Sequence, residues 1–397
     1  MMERKTENAV NQNAVVTTAL FMLILIVMAV FSIALPKKSV SELENRNLAS
    51  MPATSMQALL NGSWALGMQT YTQDHIVGRD GWIDLCSSVE TSIFRKTDKD
   101  GILLGKDGWM FPKHFAVQGA YNSQFDKNTD AVAEFCARYG DRVTFMLVPS
   151  AALIYEDKLP DGAPQIEESA LLDAAFMAAA SNGSRVLDLR EVFFREKENM
   201  KLYYQTDHHW TIDGAYLAYL EYCALMDMPV AFFPEAHTRP DVPEFFGTHY
   251  LAARWNRARS ETLSYYITDS VMTVFEVYGE NEFVPLDEME PVNREKLIHV
   301  DKYGAFLDGN HGYVELSGNG TGKVLVVKDS YANSFVPFLT ENYETVGVVD
   351  FRNFSYGLDS MIESREYDEI ILLYSFYNYM EDNHVVYLNR PSTNVTK

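Results

Sequence analysis

A chain of 397 residues exceeds the ~100 to 200 residues of a common single domain, yet one large α/β domain with insertions accommodates it. With 47% hydrophobic and 13% aromatic residues it can bury a large interior, which excludes a disordered chain. Its 33 Lys plus Arg against 55 Asp plus Glu give a formal charge of -22, which repels nucleic acid. The cysteines Cys86, Cys136 and Cys223 are too few and too scattered for a disulfide framework or a CxxC zinc site.

In chain order, residues 15–35, "VVTTALFMLILIVMAVFSIAL", carry no charge and are long enough as a helix to span a bilayer. A cleaved signal peptide is the competing reading, with Ser32 and Ala34 as a small-x-small site. Arg4 and Lys5 before the helix balance Lys37 and Lys38 after it, so charge alone sets no orientation. A short leading tail and a long following domain favour a signal-anchor with the domain outside. The expected organisation is a cytoplasmic tail at 1–14, a transmembrane segment at 15–35, a stalk and helical region at 36–100, and an α/β domain at 101–397.

Within 101–111, "GILLGKDGWMF", a Gly-Lys-Asp-Gly turn between apolar runs predicts a hairpin. Strands are expected at 143–150, 185–189, 323–327, 345–350 and 369–375, and helices near 168–181, after Thr211, from about Tyr331 and near 358–366. Short apolar runs alternating with helices predict a parallel sheet covered on both faces. Residues 237–309, rich in proline and acids with a strand-like stretch at 270–279, break this rhythm and are read as an insertion.

The chemistry concentrates in "YYQTDHHWTI", residues 203–212. If the segment is extended, Asp207 and His209 project from one side, so the carboxylate can hold one ring nitrogen and leave the other as a general base. His208 then points away as a support residue, Trp210 becomes a wall behind the ring, and Thr211 caps the next helix. A nucleophile is supplied by Ser330 in "KVLVVKDSYANSFVPFL", where an apolar strand gives way to a helix. Ser334 is the weaker candidate, and Asp-Ser before a helix is also an ordinary cap. Gly309 and Asn310 could donate to an oxyanion, though such a pair is first of all a turn. Asp-His-His is also a conceivable metal site, but no HxH or HExxH spacing accompanies it, so neither metal nor cofactor is expected.

"TDHHWT" resembles the signature of the DHHW proteins, bacterial relatives of the SGNH-hydrolase-like alginate O-acetylation enzymes. "SELENRNLASMP", "YTQDHIVGRDGWI", "LLGKDGWMF", "FFGTHY" and "KDSYANSFVPFLTENYE" resemble family segments in the same order. The resemblance implies an SGNH-like fold and a permuted site in which Asp207 and His209 precede the serine, Ser330. Lys328 stands where a standard Gly-Asp-Ser block has glycine. The implied activity is acetyl transfer to, or acetyl ester hydrolysis on, a cell-surface polysaccharide outside the membrane. A membrane-bound O-acyltransferase is the implied acetyl source, and Trp109, Trp255 and Tyr331 are candidate sugar platforms. A catalytically silent envelope scaffold or glycan-binding protein of the same fold is the alternative.

Overall fold

The computed structural model describes residues 2–41, 44, 46–114, 122–230 and 239–391. The start of the stretch at 237–309, parts of the expected tail and stalk, and the last six residues of the α/β domain therefore lie outside the described residues. The chain divides into two compact units, one of residues 1–96 with 254–256, the other of residues 97–253 with 257–397.

In the first unit, α1 (Met2–Ala34) contains a stretch, Asn13–Ala34, long and apolar enough to cross a membrane. Three shorter helices follow, α2 (Met56–Leu60), α3 (Ser63–His75) and α4 (Arg79–Ser88). Asp74 ties this unit to its own leading segment, accepting from the Arg46 guanidinium at 3.0 Å and from the Ala49 N–H at 2.8 Å. That guanidinium, working against burial, holds the Asp74 carboxyl down to about 2.

The second unit opens on a small antiparallel sheet of Asp98–Lys99, Ile102–Leu104 and Met110–Pro112, and the turn between the last two strands uses positive φ at Asp107 and Gly108. The elements that build its main sheet and cover the site are, in order, α5 (Asn122–Tyr139), β1 (Val143–Val148), α6 (Glu168–Ala180), β2 (Arg185–Leu187), α7 (Ile212–Leu225), α8 (Thr248–Ala253), β3 (Met272–Val277), β4 (Phe283–Met289), β5 (Tyr313–Ser317), β6 (Lys323–Lys328), α9 (Ala332–Leu339), β7 (Thr345–Val349), α10 (Asp359–Arg365), β8 (Glu369–Ser375) and α11 (Phe376–Glu381).

Eight strands form one sheet in the order β4-β3-β5-β7-β6-β8-β1-β2. Five of them, β7 to β2 in that order, run parallel. Both faces are buried: Leu325 and Val327 face one core with Phe135, Phe176 and Ile362, while Val324 and Val326 face the other with Tyr219, Tyr222 and Phe335. This explains the continuous apolar runs of the central strands.

The expectation of an all-parallel sheet is corrected, since β5, β3 and β4 join antiparallel. Strands joined without a crossover helix reverse direction, and between β3 and β5 the described residues hold only two short 3-10 helices, Arg294–Ile298 and Tyr303–Ala305, neither long enough for a crossover. The stretch read as an insertion therefore builds the sheet edge with β3 and β4. It also forms the hairpin Asp241–Phe245 with Glu261–Ser264, and α8 follows the first of those two strands.

Candidate active site

The carboxyl ends of β1, β6, β7 and β8 converge where an open parallel sheet forms a crevice. A cavity of about 300 Å³ lies there, lined among others by Ser150, His208, His249, Ser330, Tyr331, Arg352, Asn378 and Tyr377. Ser330 occupies the turn between β6 and α9. The turn is held by Asp329, 1% exposed, whose carboxylate accepts from the N–H groups of Tyr331 (2.9 Å) and Ser375 (2.8 Å), the Ser375 hydroxyl (2.7 Å) and the Asn378 amide (3.1 Å). The Ser330 N–H itself makes no hydrogen bond among the described residues.

Opposite the serine, residues 203–210 close into a tight loop through the Tyr203–Trp210 bridge and the Tyr204 N–H to His209 carbonyl bond of 3.2 Å. Buried Glu261 braces it, accepting from the Gln205 N–H (2.9 Å), the Thr206 N–H (2.8 Å) and the Thr206 hydroxyl (2.5 Å). Thr211 caps α7 by accepting from the Gly214 N–H at 3.2 Å.

The three residues singled out from the sequence come together. His209 Nε2 is 2.8 Å from Ser330 Oγ, and His209 Nδ1 is 2.6 Å from Asp207 Oδ1. The same oxygen accepts from the His209 N–H at 2.9 Å, while Oδ2 accepts from Thr248 N–H (2.7 Å) and hydroxyl (3.1 Å). Burial opposes ionisation of Asp207, but the flanking imidazoles and these donors outweigh it and hold the carboxyl well below its usual range. An ionised Asp207 requires the proton on His209 Nδ1, which leaves Nε2 to accept from the serine hydroxyl.

Other expectations need correction. The 203–210 segment is a bent loop rather than an extended strand, so His208 does not point away: its ring lies 3.7 Å from that of His209 and lines the cavity. The ring behind His209 is Tyr303, stacked at 3.6 Å and 9°. Trp210 instead donates from Nε1 to the Tyr331 carbonyl and to Ser334 Oγ, both at 2.9 Å, pinning the serine turn to the histidine loop. Tyr331 also donates to the His208 carbonyl.

Gly309 and Asn310 do not line the cavity. The Gly309 carbonyl accepts from the Asn333 amide (3.1 Å), and Asn310 Oδ1 accepts from Lys328 Nζ (2.8 Å). Trp109 and Trp255 are buried and likewise outside it, whereas Tyr377, which carries His114 stacked at 4.1 Å, is inside. Lys328 points away from the serine into a buried ion pair with Asp350 at 2.9 Å, which Arg352 also grips. Burial lowers the Lys328 ammonium, while Lys328 and Arg352 together outweigh burial at Asp350 and bring that carboxyl to about 2.

Asp207, His208 and His209 offer ligand atoms within 4.8 Å of one another, the spacing of a metal site. Asp207 Oδ1 and His209 Nδ1 are already engaged with each other, however, and His208 Nδ1 is 2.7 Å from Thr248 Oγ1.

Over residues 144–349, more than half of the chain, the sequence matches the DHHW protein family. The chain belongs to that family. This DHHW protein is 22% identical over 177 residues to "Probable alginate O-acetylase AlgJ" of Pseudomonas syringae pv. tomato, covering 44% of the chain and 45% of the relative. The protein of the same name from Pseudomonas aeruginosa is 25% identical over 176 residues, 43% of the chain and 44% of the relative. The match thus spans less than half the length of either relative. In fold, the DHHW protein resembles a DHHW family protein from Eubacterium siraeum (TM-score 0.61, 21% identity, 75% of this chain and 97% of that one). It also resembles Bacillus cereus PatB1, solved with a sulfonyl adduct (TM-score 0.56, 18% identity, 73% and 98%).

Thr248, His249, Tyr303 and Arg352 were not marked from the sequence. The segment "FFGTHY" holds the first two, and its place among the family-like segments was the available signal.

Proposed function

We propose that this protein is a membrane-anchored, extracytoplasmic O-acetyltransferase or acetylesterase acting on a cell-surface polysaccharide through Ser330, His209 and Asp207. The observation that carries this reading is the 2.8 Å contact of His209 Nε2 with Ser330 Oγ, backed by Asp207 on the other ring nitrogen. Relatives named for alginate O-acetylation support acetyl as the group and a polysaccharide as the acceptor class. The apolar stretch Asn13–Ala34 supports a single-pass anchor. In this reading the second unit lies outside the membrane and a membrane-bound O-acyltransferase supplies the acetyl group.

In the first half-reaction His209 Nε2 takes the Ser330 proton, Oγ attacks the donor carbonyl, and the leaving group departs with the proton from His209. The Ser330 N–H, without an acceptor among the described residues, is a donor for the developing oxyanion. In the second half-reaction a sugar hydroxyl or water gives its proton to His209 and attacks the acetyl ester, and Ser330 Oγ leaves protonated.

Turnover of an acetyl ester by the full chain in detergent tests the reading. Ser330→Ala and His209→Ala should each lower kcat by about a thousandfold or more. No turnover by the parent, together with glycan binding that neither variant alters, would favour the silent scaffold instead.

A further inference from the structure

His208 is the first of the two histidines in the family signature, and the reaction above leaves it without a task. Its hydrogen bonds fix its tautomer. Thr248 Oγ1 lies 3.1 Å from Asp207 Oδ2 and 2.7 Å from His208 Nδ1. A carboxylate only accepts, so the single Thr248 hydroxyl proton goes to Asp207, and Thr248 Oγ1 must accept from His208 Nδ1–H. A neutral ring protonated at Nδ1 carries a bare lone pair at Nε2.

His249 reaches the same state by another route. Its Nδ1 is 3.1 Å from the Met110 carbonyl, which can only accept, so its Nε2 is also bare. Neither Nε2 has a hydrogen-bond partner among the described residues, although His249 is only 5% exposed. Both rings line the cavity that holds Ser330, with centroids 6.2 Å apart, and His208 lies against the base His209. Burial lowers the His249 ring from the usual imidazole range, and desolvation in the cavity wall with the neighbouring His209 imidazole lowers His208 as well. The cavity wall beside the serine thus presents two adjacent acceptors without donors.

We propose that His208 and His249 form an acceptor subsite that takes hydrogen bonds from the hydroxyls neighbouring the one being acetylated. It thereby selects a vicinal diol, the pattern of a sugar ring, over a lone alcohol or water. This rests on the acyl-transfer reading of Ser330. The reacting hydroxyl gives its proton to His209 Nε2 and its oxygen bonds the acetyl carbon. The carbon–Oγ bond then breaks, and Ser330 Oγ recovers the proton. His208 and His249 move no proton; they hold the acceptor so that its reacting oxygen meets the ester.

The test partitions the acetyl-enzyme between acceptors. The full chain is supplied with p-nitrophenyl acetate in the presence of cis-cyclohexanediol or of cyclohexanol, and the ratio of transferred acetyl to free acetate is read for each. One well-formed hydrogen bond predicts a preference for the diol of about tenfold. The diol has one hydroxyl left to donate, so at least one of His208→Ala and His249→Ala should lower the preference and the double variant should erase most of it, whereas His208→Gln combined with His249→Ala, which can present an amide oxygen near the lost Nε2, should keep part of it. Equal partitioning to diol and lone alcohol by the parent overturns the subsite, and this comparison needs no variant to fold. A double variant that retains the full preference overturns it as well. Acetylation of Ser330 without any diol preference refutes the subsite alone, while no acetylation of Ser330 refutes both it and the acyl-transfer reading.

Discussion

A single methyl added at Gly247 would place a Cβ 2.1 Å from Asp207 Cβ and 2.4 Å from Asp207 Oδ2, with the Asp207 backbone at 2.6 Å. No rotamer change relieves a contact with Cβ and Cα, so in Gly247→Ala one of the two backbones must move. Gly247 N–H donates to Thr206 Oγ1 at 3.1 Å, and the next residue supplies both donors to Asp207 Oδ2. The displacement therefore falls on the carboxylate that orients His209. Overpacking of this kind costs about 1 to 3 kcal/mol of stability, which the large second unit should survive. A misplacement of about 1 Å at the reacting groups costs on the order of 100-fold in rate. We expect kcat/KM for an acetyl ester to fall about 100-fold in Gly247→Ala while a folded, cooperative thermal transition remains. Activity within about threefold of the parent would refute the claim that the Asp207–Thr248 contact positions the base.

Three further outcomes follow from the packing around the site. Tyr303→Leu removes the ring stacked on His209 and should lower kcat/KM by up to about tenfold, the equivalent of an aromatic contact worth about 0.5 to 1.5 kcal/mol, with little change in acceptor preference. Burial raises Glu168 from 4.5 to about 7 despite its bonds from the Ser150 N–H and hydroxyl, so the folded state holds a proton that the unfolded state has lost. That contribution, about 3 kcal/mol, is complete below the unfolded pKa and lost as pH rises through about 7. Thermal melts of Glu168→Gln should lack this loss, and an identical pH slope in the two proteins would refute the assignment. Lys328→Met leaves Asp350 with Arg352 alone and Asn310 Oδ1 with only the Asn333 amide. Denaturant unfolding should show a loss of about 3 kcal/mol; a neutral result would mean that Arg352 suffices.

Much of the site could be read in the chain because each part carried a local signal. Ser330 follows an uninterrupted apolar strand, and such strands end at the ligand-binding edge of a doubly covered sheet. The spacing of Asp207 and His209 was informative for a different reason from strand alternation. Asp207 Oδ1 accepts both the N–H and the Nδ1 of the residue two further on, a local turn that places His208 beside its neighbour. Thr248, His249 and Tyr303 reach the site only through tertiary packing of the 239–309 stretch; the family-like segment "FFGTHY" flags the first two, and no local pattern around Tyr303 marks it. Gly309 and Asn310 illustrate the converse, since turn chemistry was legible there but its partners, Lys328 and Asn333, were not.

The most direct test is acid quenching of the full chain during turnover of an acetyl ester, followed by peptide mass analysis. The account predicts one acetyl group, located on Ser330, absent in Ser330→Ala and strongly slowed in forming in His209→Ala. Turnover with no acetyl on Ser330, or with acetyl on another residue that persists in Ser330→Ala, would contradict it.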